Sequence, residues 1–184
     1  MLLPFLLGLA LALAIALLRR RFAGFDAQRP ADYAGKGPLL DPTVHLAGQL
    51  LCEGVIYGPT GRVASRFVAE MQGEWQDGQG VLTERFRYDS GMVQDRRWDF
   101  RLSADGALGA TAADVPGGAT GALAGSAMTL RYRIRLHDDA GGHVLDVNDW
   151  MYLLDNGTII NRSQFRKYGL KVAELVATLR RIET

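Results

Sequence analysis

Cysteine and histidine are scarce in this 184-residue sequence, which contains one cysteine, Cys52, and three histidines. A single thiol cannot form an internal disulfide, so the cysteine count leaves the redox compartment open. His45, His137 and His143 lie far apart in the sequence and lack the spacing of metal ligands. We therefore predict no metal site and no cofactor.

An excess of charge of one sign is also lacking, because lysine and arginine total 21 and aspartate and glutamate total 20. The resulting net charge of +1 gives no reason to expect a nucleic-acid partner. The sequence has no Gly-x-Ser-x-Gly nucleophile elbow, and its glycine-rich run at 117–121 lacks the ending of a phosphate-binding loop. We predict no catalytic residues and favour a function without catalysis.

Uncharged residues fill the stretch from Leu2 to Leu18, and three arginines follow directly at 19–21. As a helix, this run is about 25 Å long, which is short but sufficient for a membrane span. A secretory signal carries its positive charge before the apolar run, and here that order is reversed. We predict an uncleaved single-pass anchor over residues 1–21, with residues 2–18 in the lipid bilayer; a cleaved signal is the alternative.

Prolines and glycines are frequent between residues 22 and 42, so we predict a linker without regular structure there. From Val44 onward, apolar and polar residues alternate with a period of two, which indicates strands with one apolar and one wet face. Turn signals separate these strands, and a meander of this length closes into a barrel or folds into a sandwich. Val115–Gly125 is predicted as a loop or a lid over a barrel mouth. The final segment, 170–182, fits either a helix or a strand, and we favour a closing strand.

Polar side chains are most concentrated in His143–Tyr168, which is predicted to be a hairpin with its turn at Asp155-Asn156-Gly157. Aromatic residues can line the mouth of a small barrel, although ordinary core packing is the competing interpretation. The predicted ligand-binding residues are Trp98, Tyr132, Asp149, Trp150, Tyr152, Asn161 and Arg162.

Asp146, Asp149 and Asn161 could meet across this hairpin, where buried carboxyl groups can take part in acid–base chemistry. The sequence favours a simpler arrangement, in which these side chains cap turns or form ion pairs on the outer face. The candidate ion-pair partners are Arg131, Arg133, Arg135 and Arg162.

Several short motifs resemble the bacterial family known as domain of unknown function 3833. They are Tyr33-Ala34-Gly35, the turn at Gly58–Gly61, Phe86-Arg87-Tyr88-Asp89, Arg97-Trp98, Asp114 with the following glycines, Asp149–Leu153, Ile160–Ser163 and Lys167-Tyr168-Gly169. The resemblance covers about residues 33–179 and implies an uncharacterised, lipocalin-like barrel, which we assign to residues 43–184. The fold class is therefore all-β, an antiparallel meander closed into a barrel of about 9–10 strands.

The predicted anchor indicates a single-pass protein of the bacterial inner membrane. The resemblance implies that the soluble domain lies in the periplasm, whereas arginines after the span favour the cytoplasm. The side of the membrane stays open. We expect a membrane-anchored, non-catalytic barrel that binds an apolar or amphipathic small molecule near the bilayer. One alternative is an accessory subunit of a larger membrane complex, held by its helix. The other is an enzyme that uses the Asp149/Asn161 region.

Overall fold

The computed structural model describes residues 2–138 and 141–182. Within these ranges, ten antiparallel strands form a closed barrel in which sequence neighbours pair and the last strand pairs with the first. The predicted all-β meander barrel is confirmed. The strands are β1 (Gly48–Tyr57), β2 (Val63–Gln76), β3 (Gln79–Tyr88), β4 (Val93–Leu102), β5 (Ala107–Ala112), β6 (Ala119–Ala124), β7 (Ala127–Arg135), β8 (Val144–Leu153), β9 (Ile159–Lys167) and β10 (Leu170–Arg181).

Period-two alternation places the core inside the barrel. In β3, Leu82 and Phe86 are buried while Thr83 and Arg85 between them are exposed. The pairing of β10 with both β9 and β1 closes the sheet, so the segment at 170–182 is a strand and the barrel has no free edge.

The predicted loop at Val115–Gly125 was wrong in its second half, which forms β6 between β5 and β7. The composition of this strand, including Gly121, explains why the sequence did not predict it. A Cβ atom at Gly121 would lie 1.8 Å from the carbonyl oxygen of Thr129, so only glycine allows this close approach. Four of the six residues of β6 are alanine or glycine, so the strand shows no clear alternation of apolar and polar residues.

The two ends of the barrel differ. At the closed end, Leu46 is completely buried, and its carbonyl oxygen accepts a hydrogen bond of 3.3 Å from Trp75 Nε1. Leu46 follows the short helix α2 (Pro42–His45), whose first turn is capped by Asp41. At the opposite end, which carries the Gly58–Gly61 turn and is here called the mouth, inward-facing residues are only half-buried: Ile56, Tyr88, Gln94, Ile134 and Phe165.

The predicted linker packs on the barrel, and residues 25–40 are here called the strap. It contains two short 3-10 helices, Phe25–Ala27 and Pro30–Tyr33, so the expectation of no regular structure was wrong for these turns. Phe25 packs with Trp150 of β8, and Leu40 joins the core at the closed end. The strap is therefore an integral part of the folded unit.

Helix α1 (Leu2–Phe22) precedes the strap. Its Leu2–Arg19 stretch has a mean hydropathy of 2.3 and is entirely unburied, and its length and composition fit a membrane span or a signal sequence. The last turns of α1 lie beside the mouth, because Leu17 and Arg21 share a surface pocket with Asp146, Arg166 and Gly169. The free end of the helix therefore projects away from the barrel.

Candidate functional site

A small cavity of about 90 Å³ lies inside the barrel. Most of its wall is apolar and comes from side chains that alternate inward along eight of the strands, including Phe67, Leu82, Phe100 and Leu130. The polar side chains form two clusters on the wall, one around Asp149 and one around Arg96. The lining polar and sulfur-bearing residues are Cys52, Met71, Glu84, Arg96, Tyr132, Asp149, Met151, Asn161 and Ser163.

The first polar group is centred on Asp149 of β8. Its Oδ1 atom accepts hydrogen bonds from Asn161 Nδ2 at 2.5 Å and from Ser163 Oγ at 2.6 Å. Asp149 and Ser163 are direct partners in the β8–β9 pairing, which explains how the strands bring them together. Asp149, Asn161 and Ser163 are all less than a tenth exposed.

The second polar group is centred on Arg96 of β4, which pairs in register with Glu84 of β3. Arg96 Nε and Nη2 donate to the two oxygens of Asp114 at 2.8 and 3.2 Å, and Nη1 donates to Glu84 Oε2 at 3.3 Å. The guanidinium also lies 5.1 Å from the ring centre of Trp98. Such a bidentate pair fixes the orientation of the arginine as well as offsetting its charge.

Burial dominates the ionisation of the interior carboxyl groups. It raises the pKa of Glu84 from 4.5 to about 7, although the neighbouring Arg96 lowers it. Burial likewise raises the pKa of Asp149, and the hydrogen bonds from Ser163 and Asn161 offset part of that effect. Burial also raises the pKa of the Cys52 thiol, so this cysteine is not an activated nucleophile. The interior therefore contains a carboxyl group, that of Glu84, that gains or loses a proton near neutral pH.

Four of the seven predicted site residues point into the barrel and line the cavity. They are Trp98, Tyr132, Asp149 and Asn161. Trp98 and Tyr132 meet edge to face, with ring centres 5.3 Å apart. The expectation that Asp149 and Asn161 cap turns or pair with outer-face arginines was wrong, because both side chains face inward. Asp146 lies on the outer face, so it does not meet them.

The other three predicted site residues, Trp150, Tyr152 and Arg162, lie outside the interior. They face the strap instead: Trp150 and Tyr152 pack against Tyr33, with ring centres 5.4 and 5.5 Å apart. Arg162 lies 4.8 Å from the ring centre of Phe25. The physical reason is the period of two, since Trp150 and Arg162 adjoin inward-facing Asp149 and Asn161 and must point the opposite way.

Sequence reasoning missed Glu84, Arg96, Asp114 and Ser163 as members of the site. A signal for two of them was present in the alternation. Glu84 stands between Leu82 and Phe86, and Arg96 precedes Trp98 by two residues, so both charges occupy positions where the strand otherwise places apolar residues. A charged residue at such a position is expected to be paired inside or functional.

Hydrogen bonding and proton exchange are the chemistry that this cavity can supply. Among the described residues, no group of three or more histidine, cysteine, aspartate or glutamate side chains is arranged to hold a metal ion. The space has room for several water molecules. Pockets for drug-sized ligands are about 300–1,000 Å³, so the cavity fits a small molecule or one end of a larger one.

The family described as "Protein of unknown function (DUF3833)" has a model that matches residues 20–181 of this chain. A comparison with curated proteins finds no match. Structural comparison finds relatives of the barrel at low sequence identity. The S-type phycobiliprotein lyase CPES from Guillardia theta superposes with a TM-score of 0.56 and 6% identity, over 76% of this chain and 90% of the lyase.

Two further solved structures share the fold. A protein of unknown function from the DUF3598 family of Nostoc punctiforme has a TM-score of 0.54 and 12% identity, over 80% of this chain and 51% of its own. Rv2717c from M. tuberculosis has a TM-score of 0.52 and 17% identity, over 80% of this chain and 99% of its own. At these identities the likeness shows the fold alone.

Proposed function

The chain belongs to the DUF3833 family of proteins of unknown function, and from the geometry of its barrel we propose that it binds a small amphipathic molecule without chemical conversion. The observation that carries this proposal is the interior cavity, which joins an apolar wall to the polar groups around Asp149 and Arg96. An apolar pocket with a few convergent polar groups is the usual form of a small-molecule site.

The volume of the cavity limits the ligand. About 90 Å³ cannot enclose a complete fatty acid, retinoid or haem. A short chain, or the polar end of a longer molecule whose remainder leaves through the mouth, fits the geometry better. The half-buried residues at the mouth, such as Ile134 and Phe165, offer apolar contact to such a remainder.

The shared fold gives independent support of a general kind. A barrel of this fold is named as a phycobiliprotein lyase in Guillardia theta, so the architecture is compatible with recognition of another molecule. The relative supports the use of this barrel as a binding scaffold. Its substrate and its activity are not inferred for this chain, because a shared fold does not imply a shared function.

Placement at a membrane is the second part of the proposal. Helix α1 is unburied and apolar, which supports insertion into the bilayer through residues 2–18. Because the last turns of α1 lie beside the mouth, an inserted helix would bring the mouth towards the membrane surface. An amphipathic ligand that partitions into lipid would then be close to the cavity.

Calorimetric titration of the purified protein with 1-butanol tests the binding proposal. We expect saturable binding to the wild type and its loss in Cys52→Leu, because a leucine would fill space that the small thiol leaves. Val55→Leu on the same strand, which points away from the cavity, is the matched control and should bind like the wild type. Saturable binding that persists unchanged in a folded Cys52→Leu variant would contradict the proposal.

A structural role as an accessory subunit is a second candidate, which the complete exposure of α1 favours. Leu, Ala and Gly8 on this helix permit close contact with another transmembrane helix. Co-purification of one partner with the full chain in mild detergent, and its loss when residues 2–21 are deleted, is the expected result. Retention of the partner by the shortened chain would place the contact on the barrel.

A further inference from the structure

We propose that the interior selects ligands whose polar end is a cation, such as an amine, and rejects carboxylates; this inference rests on the proposed binding function. Two observations carry it: Asp149 on the cavity wall accepts hydrogen bonds from uncharged donors, and the guanidinium of Arg96 is held by Glu84 and Asp114.

The guanidinium of Arg96 is already engaged. Three of its N–H groups donate to Asp114 and Glu84, and the Asp114 contact is bidentate. Arg96 is the one cation among the described residues that line the cavity. A ligand carboxylate would have to displace Asp114 or Glu84 to reach it, and would join the two acidic groups that line the cavity, Glu84 and Asp149. In a space of low polarity, a ligand anion beside these groups is repelled strongly when they are ionised, whereas a ligand cation favours their ionised form.

A ligand cation meets the opposite situation. Asp149 lies on the cavity wall, fixed by hydrogen bonds from Asn161 and Ser163, and faces no cationic side chain at hydrogen-bond distance among the described residues. Glu84 holds a single arginine contact of 3.3 Å. An ammonium group has N–H donors and no acceptor, so it can bond to these carboxyl oxygens and offset their charge. A hydroxyl group can also donate, but it leaves the excess of acidic groups uncompensated.

The apolar part of the cavity wall favours ligands that carry an alkyl chain next to the cation. Leu82, Phe100 and Leu130 line the same cavity and offer contact to a short alkyl chain. The ligand class is therefore an alkylamine or the amine end of a longer amphiphile. This composition differs from a site built for acid ligands, in which an unpaired arginine or lysine would be expected inside.

Three probes of equal chain length test this inference by calorimetry on the full chain at neutral pH: n-butylamine, 1-butanol and butanoate. We expect n-butylamine to bind most tightly and butanoate to bind more weakly by about tenfold or more. Asp149→Asn should weaken n-butylamine by a similar factor while changing 1-butanol little. Asp146→Asn, on the outer face of the same strand, is the matched control and should leave all three affinities unchanged.

The outcomes separate the two proposals. Absence of binding for all three probes would overturn the proposed function and this inference with it. Binding of 1-butanol with butanoate equal to or tighter than n-butylamine would overturn the inference and leave the binding function standing. The comparison among probes uses the wild type, so it stays decisive if Asp149→Asn fails to fold.

Discussion

Two carboxyl residues of the interior, Glu84 and Asp149, are unfavourable to bury but give the cavity its hydrogen-bonding groups. Glu84 and Asp149 occupy positions where the strands otherwise place apolar side chains, and each is held by donors on a neighbouring strand. Burying a carboxyl group is unfavourable unless it is neutral, paired or hydrogen-bonded. Both residues satisfy this condition in different ways: Glu84 through Arg96, and Asp149 through uncharged donors.

Glu84 is predicted to make the barrel less stable as the pH rises from 5 to 8. Burial raises its pKa from 4.5 to about 7, so the folded protein retains a proton that the unfolded chain has already lost. The stabilisation is complete below pH 4.5 and is lost as the pH rises through 7, by at most about 3 kcal/mol. Denaturant unfolding across this pH range measures the slope, and Glu84→Gln should flatten it.

Glu70→Gln is the matched control for this prediction. Glu70 lies on the outer face, and its hydrogen bond to Arg87 lowers its pKa, so its contribution changes below pH 4.5. The slope between pH 5 and 8 should therefore match that of the wild type. An unchanged slope in Glu84→Gln would show that this side chain does not set the pH dependence.

The strap is the element that covers one part of the outer wall of the barrel. Its aromatic residues Phe25 and Tyr33 cover Trp150 on the outer face, and Asp26 forms an ion pair of 2.8 Å with Arg166. Gln28 Oε1 accepts a hydrogen bond of 2.7 Å from Tyr152 and another from Tyr33. Segment 25–40 therefore contacts both the outer wall and, through Leu40, the core.

Two adjacent leucines allow a direct test of the strap. Leu40 is 4% exposed and packs in the core, whereas Leu39 is 71% exposed. Leu40→Ala should lower the free energy of unfolding by about 2–4 kcal/mol, because it removes buried methyl groups and leaves a cavity. Leu39→Ala should change it by less than about 0.5 kcal/mol. Equal effects in chemical denaturation would mean that residues 22–42 act as a simple linker.

For the whole molecule, α1 is predicted to be dispensable for the fold of the barrel. No part of the Leu2–Arg19 stretch is buried, so deletion of residues 2–21 should change the free energy of unfolding by less than about 0.5 kcal/mol. Sedimentation with membranes should be lost in the same variant, because the apolar helix is the proposed attachment. Continued sedimentation would assign membrane contact to the barrel surface.

The sequence predicted the barrel because alternation is a strong local signal wherever large apolar and charged residues take turns, as from Trp98 to Arg101. It failed for β6, where alanine and glycine give no contrast between faces. Two of the site residues, Asp149 and Asn161, followed from the hairpin, because its polar residues are close in sequence. The sequence could not show that Arg96, with its partner Asp114, lies on the same cavity wall as Asp149. Which side chains share a barrel interior depends on strand register and on closure of the sheet.

The position of the strap has a consequence for how a ligand would arrive. The chain leaves α1 beside the mouth, passes down the outer wall and enters the core at the far end through Leu40 and Leu46. With α1 inserted in lipid, the entrance would be held facing the bilayer. A molecule dissolved in the membrane would then find the entrance by lateral diffusion in two dimensions, with little exposure to bulk water.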